Sequence, residues 1–306
     1  MPQMGYTRRI MIRAHELRKS FGAILAVDGV SFEIRAGETF GLLGPNGAGK
    51  TTTIHMLVGV LRPDAGRVAI DGQPDPTRAA VRRKIGIAPQ ALSLYDELTG
   101  GENLALFGRL YGLRGRVLRE YVERAIEFAG LADRRKHRVK TYSGGMKRRL
   151  NLATALMHDP PVLLCDEPTV GVDPQSRNRI FEGIERLRAE GRTILYTTHY
   201  MEEAQRLCDR VAIVDHGRVL ALDTIENLIA AHGGKSVVTA ELEQPPADPS
   251  LVGGVLKGTS LRIDTAEPLE EIGRLAAAGV KFATLHVDRP DLETVFLALT
   301  GRRLRD

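Results

Sequence analysis

The chain contains no tryptophan, and only 5% of its 306 residues are aromatic. That is too few for a surface on which nucleic-acid bases stack in succession. Its two cysteines, Cys165 and Cys208, lie far apart, and neither a Cys-x-x-Cys nor a Cys/His ligand spacing occurs. A disulfide framework and a structural zinc site are excluded, and a reducing compartment is expected. No run approaches the roughly 18 consecutive apolar residues of a membrane-spanning helix. Arg8, Arg9 and Arg13 precede an apolar stretch from Phe21 to Val30, but Asp28 interrupts it and no small-residue cleavage site follows. That is not the pattern of a secretory signal. A soluble, cytoplasmic chain is expected.

What is present is an ordinary globular balance: 43% hydrophobic, 26% charged, with 32 glycines and 15 prolines. The length suits one large domain with an appendage, or two domains. Net charge is +5, and the stretch 235–306 holds 9 basic and 11 acidic residues. The basic excess therefore belongs to the first 234 residues, where it suits phosphate, an anionic surface or solubility alone.

Short β-type runs (Ile10–Arg13, Val30–Ile34) open the chain. A buried-strand run, Thr39–Leu43, leads into a glycine-rich loop and a helical stretch from Thr51 to Val58. Further strands are expected at Val68–Ile70, Ile85–Ala88, Val162–Cys165, Thr193–Tyr196 and Val211–Val214, with helices starting near Pro174 and Met201. Between Arg116 and Leu131 apolar residues recur at helical spacing up to Gly130, where a helix commonly ends. Strand–helix alternation around a helical insert implies an α/β core with a mostly parallel sheet. After Ala231 a His-Gly-Gly break begins a small α/β appendage. It has strands at Val237–Leu242, Leu261–Ile263 and Phe282–His286, and helices at Leu269–Ala278 and Asp291–Leu299. Gln244-Pro-Pro-Ala-Asp-Pro reads as a turn or linker, and the boundary is drawn between 234 and 235.

Gly44-Pro45-Asn46-Gly47-Ala48-Gly49-Lys50-Thr51 matches G-x-x-x-x-G-K-[ST]. Glycines let backbone amides close around phosphate oxygens where a Cβ would obstruct them, and the following helix points its N-terminus at the same anion. Lys50 would sit by the terminal phosphates and Thr51 would offer a hydroxyl to Mg²⁺. A chance match in ~300 residues has a probability on the order of 1%, so a nucleoside triphosphate is the expected ligand. Val162-Leu-Leu-Cys-Asp166-Glu167 is an apolar strand ending in two carboxylates. Asp166 fits a magnesium role, usually through water, and Glu167 fits the group that positions or deprotonates the attacking water. Tyr142-Ser143-Gly144-Gly145-Met146-Lys147 opens a helix with exposed amides and a hydroxyl, a second anion site.

Taken together, these residues resemble the ATP-binding subunit of an ATP-binding cassette (ABC) transporter. The resemblance runs over roughly Arg9 to Ile229. It implies a P-loop NTPase with a RecA-like core, an antiparallel β part and a helical insert at about 91–160. By its pattern Gln90 is the magnesium- and membrane-domain-sensing glutamine and Asp173 the loop aspartate coupling the two sites of a dimer. His199 is the switch histidine that reaches the γ-phosphate, Phe21 the aromatic that stacks on adenine, and Thr52 part of the nucleotide site. Where many members have Leu-Ser-Gly-Gly-Gln, this chain has Tyr142 and Met146, so the usual Gln contact is not carried over.

The resemblance implies two subunits paired head to tail, as a homodimer or with a sister ATPase. ATP and Mg²⁺ would be bound between the phosphate loop of one and the Ser-Gly-Gly of the other. It also implies an integral membrane permease as partner, a place on the inner face of the membrane, and no nucleic acid. Asp291-Leu-Glu-Thr-Val-Phe-Leu-Ala-Leu-Thr-Gly301-Arg-Arg, with Gly-Met-Lys-Arg-Arg-Leu after Ser143, is similar to the ATPases of ABC-2 type antibiotic and multidrug exporters, among them daunorubicin-resistance and nodulation-factor exporters. Cargo resembling a drug, antibiotic or lipid is implied. The alternatives are the ATPase of an importer with a regulatory tail, or a soluble non-transport ABC ATPase. The basic run Arg134-Arg135-Lys136-His137-Arg138 with Lys140, and Lys147-Arg148-Arg149, is either a solvated face or an attraction for anionic headgroups.

Overall fold

A computed structural model describes residues 9–246, 248 and 251–302. Arg8, Arg303, and Ala247 and Pro249 of the expected linker lie outside them. The chain divides into two compact units, with Thr224 ending the first and Ile225 opening the second.

In the first unit, β1 (Ile10–Phe21), β2 (Ile24–Arg35) and β4 (Ala65–Ile70) form an antiparallel sheet in the order β2-β1-β4. Leu17 faces Val30 and Ile12 faces both Ile34 and Ile70, so their apolar faces meet on one side. A six-stranded sheet follows the order β5-β6-β7-β3-β8-β9, built from β3 (Thr39–Leu43), β5 (Ile85–Ala88), β6 (Val162–Asp166), β7 (Thr193–Thr198), β8 (Arg210–Asp215) and β9 (Arg218–Thr224). Only β9 runs antiparallel, against β8. Strands β3, β6 and β7 are buried throughout, which is why they read as continuous apolar runs rather than alternating ones. Ile12, Leu17, Phe32, Phe40, Leu42, Ile54, Leu57 and Leu164 belong to one core that spans the two sheets and α1 (Lys50–Leu57). Each large apolar side chain removed from water there contributes about 1.5–3 kcal/mol. Cys165 is buried in the sheet, a small apolar filler.

A single turn, α2 (Ala79–Arg82), precedes β5, and the helical insert holds α3 (Gly100–Leu110), α4 (Gly115–Phe128) and α5 (Gly144–Ala155). Leu118, Val122, Ala125 and Ile126 of α4 pack with Leu104 and Leu150 into a separate core. The sequence pattern missed α3 because two glycines open it. Thr99 and Glu102 nevertheless form a capping box there, a signal readable from Thr-x-x-Glu. Helices α6 (Pro174–Ala189) and α7 (Met201–Leu207) begin where expected.

The second unit comprises α8 (Ile225–His232), β10 (Ser236–Leu242), β11 (Val255–Lys257), β12 (Ser260–Thr265), α9 (Pro268–Ala277), β13 (Phe282–Asp288) and α10 (Leu292–Thr300). Its antiparallel sheet has the order β11-β12-β10-β13. Val238, Ala240, Leu261, Ile263 and Leu275 form its core. Asp291 and Thr294 cap α10, and Gly301 ends it in a left-handed turn. Because α8 packs on α10, the division falls before the His232-Gly-Gly break.

Candidate functional site

The loop between β3 and α1 is shaped by glycine. Gly49, at φ 95°, is the N-cap of α1, and a Cβ there would lie 2.5 Å from the Ala26 carbonyl oxygen. No L side chain fits so close a main-chain approach in that backbone region. Lys50 follows, and its stem is carried inward so that the side chain is only 4% exposed. Its ammonium donates to the carbonyl oxygens of Gly44 at 2.6 Å and Pro45 at 3.0 Å, and pairs with Glu167 Oε1 at 2.9 Å. All three of its protons thus have acceptors, which a buried cation needs. Thr51 and Thr52 stand half-buried in the first turn of α1, and Asn46 and Gly47 are exposed at the loop tip.

Glu167 lies just past the end of β6 with φ 45°, in the left-handed region. Its amide donates to Thr197 Oγ1 at 3.0 Å and to the Thr197 carbonyl at 3.2 Å. The same hydroxyl donates to Asp166 Oδ1 at 2.7 Å. The two carboxylates therefore diverge: Asp166 faces β7, and Glu167 turns toward Lys50. Gln90 Nε2 donates to Glu167 Oε2 at 3.3 Å, and His199 Nδ1 lies 3.4 Å from that oxygen without hydrogen-bond geometry. Lys50, Gln90, Glu167 and His199, which are 40 or more residues apart except for the last pair, thus meet around one carboxylate.

Ser143, Gly144 and Gly145 do not join this cluster. Ser143 caps α5 by accepting from the Met146 amide at 3.2 Å, and Ser143 and Gly144 are exposed. Gly145 is buried against α6, where a Cβ would meet Ser176 Oγ at 2.2 Å. Asp173 caps α6 through Ser176, whose amide holds its carboxyl below the usual range. Tyr142 is buried, and its hydroxyl donates to the Arg134 carbonyl at 2.7 Å, while burial raises its pKa. Met146 packs on the helical core. The two departures from the usual motif are thus packing residues of the insert. Phe21 is 49% exposed at the end of β1, so it is not a core residue.

Part of the basic run is paired with carboxylates. Arg135 pairs with Glu123, Arg138 and Lys140 with Glu97, and Lys147 with Asp96, while Arg149 is buried against the end of α4. Sequence reasoning missed Thr197, which orders both acids, and Glu203. The Glu203 carboxylate, 2% exposed, accepts from Thr169, Tyr196 and Thr198 at 2.7–3.0 Å. It ties the turn after Glu167 to the turn before His199. Its position four residues beyond His199 was the available signal.

Comparison with known proteins decides the family. The sequence model of the family described as ABC transporter matches residues 27–170. A linearmycin resistance ATP-binding protein of Bacillus subtilis is 39% identical over 97% of this chain and 100% of its own length. The chain belongs to the ATP-binding proteins of ABC transporters. A Nod factor export ATP-binding protein I of a Rhizobium species is 44% identical over 97% of this chain and 99% of its own length. Among solved structures, an ATP-binding subunit of an ABC transporter superposes with TM-score 0.65 at 31% identity, covering 73% of this chain and 93% of its own. A dimeric ATP-binding cassette in a post-hydrolysis state with ADP and Pi gives TM-score 0.65 at 27% identity, over 70% of this chain and 98% of its own. This member of the family is an ATPase with the cassette's P-loop NTPase fold. Among the described residues no helix is long and apolar enough to cross a membrane.

Proposed function

We propose that the chain powers a membrane exporter as one of two ATPase subunits paired head to tail, with each ATP between the phosphate loop of one chain and Ser143-Gly144-Gly145 of the other. The observation that carries this is the convergence of Lys50, Gln90 and His199 on Glu167, while Ser143 and Gly144 lie exposed outside that cluster. A site built this way is completed from outside.

In such a site the backbone N–H groups of the loop from Gly44 to Thr52, Pro45 having none, hold the phosphates, and Lys50 moves its charge from Glu167 to the terminal phosphates. Phe21 stacks on adenine. Glu167, freed from Lys50, accepts a proton from water as the water oxygen bonds to the γ-phosphorus. The bond from that phosphorus to the β–γ bridging oxygen breaks, leaving ADP and phosphate. His199 holds the γ-phosphate oxygens. Asp166, the Thr51 hydroxyl and Gln90 are the hard oxygen donors that suit Mg²⁺, and Thr197 orients Asp166 for that duty. Bound Mg²⁺ would neutralise charge on the β- and γ-phosphates. Asp173 would couple the paired sites.

The names of the relatives, export and resistance proteins, support an exporter carrying a drug, antibiotic or lipid-like molecule. The ATP-binding domain would be held on the inner face of the membrane by a permease, with the second unit as an accessory domain. Glu167→Gln should retain MgATP and stop turnover, and undiminished steady-state hydrolysis would sink the role given to Glu167. Tagged Glu167→Gln protein pulled from gently solubilised membranes with MgATP should bring a polytopic membrane protein. Ribosomes or DNA-repair partners without one would refute the transporter reading.

A further inference from the structure

The helix that opens with Ser143 also holds the loop that carries Gln90. Three side chains of α5 reach residues 89–96. Lys147 Nζ meets Asp96 Oδ1 at 2.7 Å. Arg148 Nη1 donates to the main-chain oxygen of Gln90. Asn151, 2% exposed, donates to the Pro89 carbonyl at 3.1 Å and accepts from the Ser93 amide at 3.2 Å. The Gln90 side chain at the far side of this clasp donates to Glu167. Burial lowers the Arg148 pKa, and Glu167 and Asp166 oppose that shift, so its guanidinium lies within the field of both acids.

One rigid element therefore touches two places. Its N-terminal Ser143 and Gly144 are exposed, and its flank fixes the loop behind Gln90. We propose that Arg148 is a positioning residue that couples the two ATP sites of the dimer. Nucleotide seated against Ser143-Gly144-Gly145 of one chain shifts α5, and Arg148 passes that shift to Gln90 and so to Glu167 in the same chain's own site. The inference rests on the head-to-tail pairing proposed above. Asn151 is the buried anchor of the clasp. Arg148 is the member that joins the residue bearing the amide, and it is only half-buried, so its removal leaves little cavity.

Full-length wild type, Arg148→Ala and Arg148→Lys would be compared for ATPase rate against MgATP concentration, with thermal melting alongside. Wild type should be cooperative. Arg148→Ala should lose about tenfold in kcat, as for a slightly misplaced catalytic group, with KM changed less than about twofold and a Hill coefficient of about 1. Its melting temperature should match wild type. Arg148→Lys, which keeps the charge and one donor, should recover most of the cooperativity. Cooperativity that survives Arg148→Ala would overturn the proposal while leaving the pairing intact. Lost activity that follows lost thermal stability, unrescued by lysine, would overturn it as well. A wild type with no cooperativity, its rate per chain independent of protein concentration, would remove the head-to-tail reading and the coupling with it.

Discussion

Replacing Lys50 by methionine, without nucleotide present, removes one half of a buried ion pair and leaves the other half in place. At 2.9 Å and an effective dielectric of ~20 the pair attracts by about 6 kcal/mol. Much of that offsets the desolvation of two groups whose side chains are 4% and 5% exposed. The loss on truncating one partner is therefore set by the charge left behind, about 4 kcal/mol. For a unit of this size that is roughly 8–16 °C in melting temperature. Glu167→Gln is milder, about 2 kcal/mol, because Lys50 keeps the Gly44 and Pro45 oxygens. Additivity would put the double variant near 6 kcal/mol down, but a neutral amide facing a methionine carries no uncompensated charge. It should be about 3 kcal/mol down, a coupling of about 3 kcal/mol. Urea unfolding of the four proteins, read as midpoints at constant m, measures it. A double variant whose loss equals the sum of the singles within about 0.5 kcal/mol would refute the reasoning.

Three further outcomes are expected. Gly49→Ala should abolish ATP binding measured by calorimetry, because its Cβ would strike the Ala26 carbonyl; retained affinity would contradict the loop geometry. Gly145→Ala should reduce hydrolysis in the pair while leaving ATP binding to the single chain within about twofold, since Ser176 is displaced and not Lys50; separate assays of binding and turnover would show it. His158 is the third case. Its Nε2 donates to the Ile85 carbonyl at 3.0 Å, its buried Nδ1 has no hydrogen-bond partner among the described residues, and burial lowers its pKa. The neutral ring is favoured in the fold, so its stability contribution is complete above the unfolded value of about 6.5. It falls as pH drops below that value toward the lower folded pKa. Melting temperatures between pH 7.5 and 5.5 should decline less in His158→Gln than in wild type, and equal slopes would count against the assignment.

Strands β3, β6 and β7 were legible because a sheet covered on both faces demands unbroken apolar runs, and the phosphate loop because its glycines have a steric reason. Helix α4 was legible from its apolar spacing. Helix α3 was hidden by Gly100 and Gly101, whose low helix propensity outweighed a capping box in plain view. The long pairing of β1 with β2 was hidden by register shifts that break the alternation of buried and exposed residues along both strands. The residues of the proposed site were named from sequence, yet their convergence on Glu167 depends on Thr197 and on a positive φ that no local pattern announces. The clasp of α5 on the Gln90 loop spans about 60 residues of chain, and a run of basic residues gave no hint that Arg148 turns to the Gln90 backbone while Lys147 finds a carboxylate and Arg149 the end of α4.

In the proposed pair each ATP site is shared between two chains. Lys50→Ala carries a disabled phosphate loop and an intact Ser143 motif; Ser143→Arg carries the reverse. Both would be made in the Glu167→Gln background, mixed with labelled MgATP, and passed over a sizing column. Head-to-tail pairing predicts a two-chain species retaining one nucleotide, formed by the mixture and by neither variant alone. A mixture that forms no such species, or a Ser143→Arg variant that forms a nucleotide-holding pair by itself, would contradict the account.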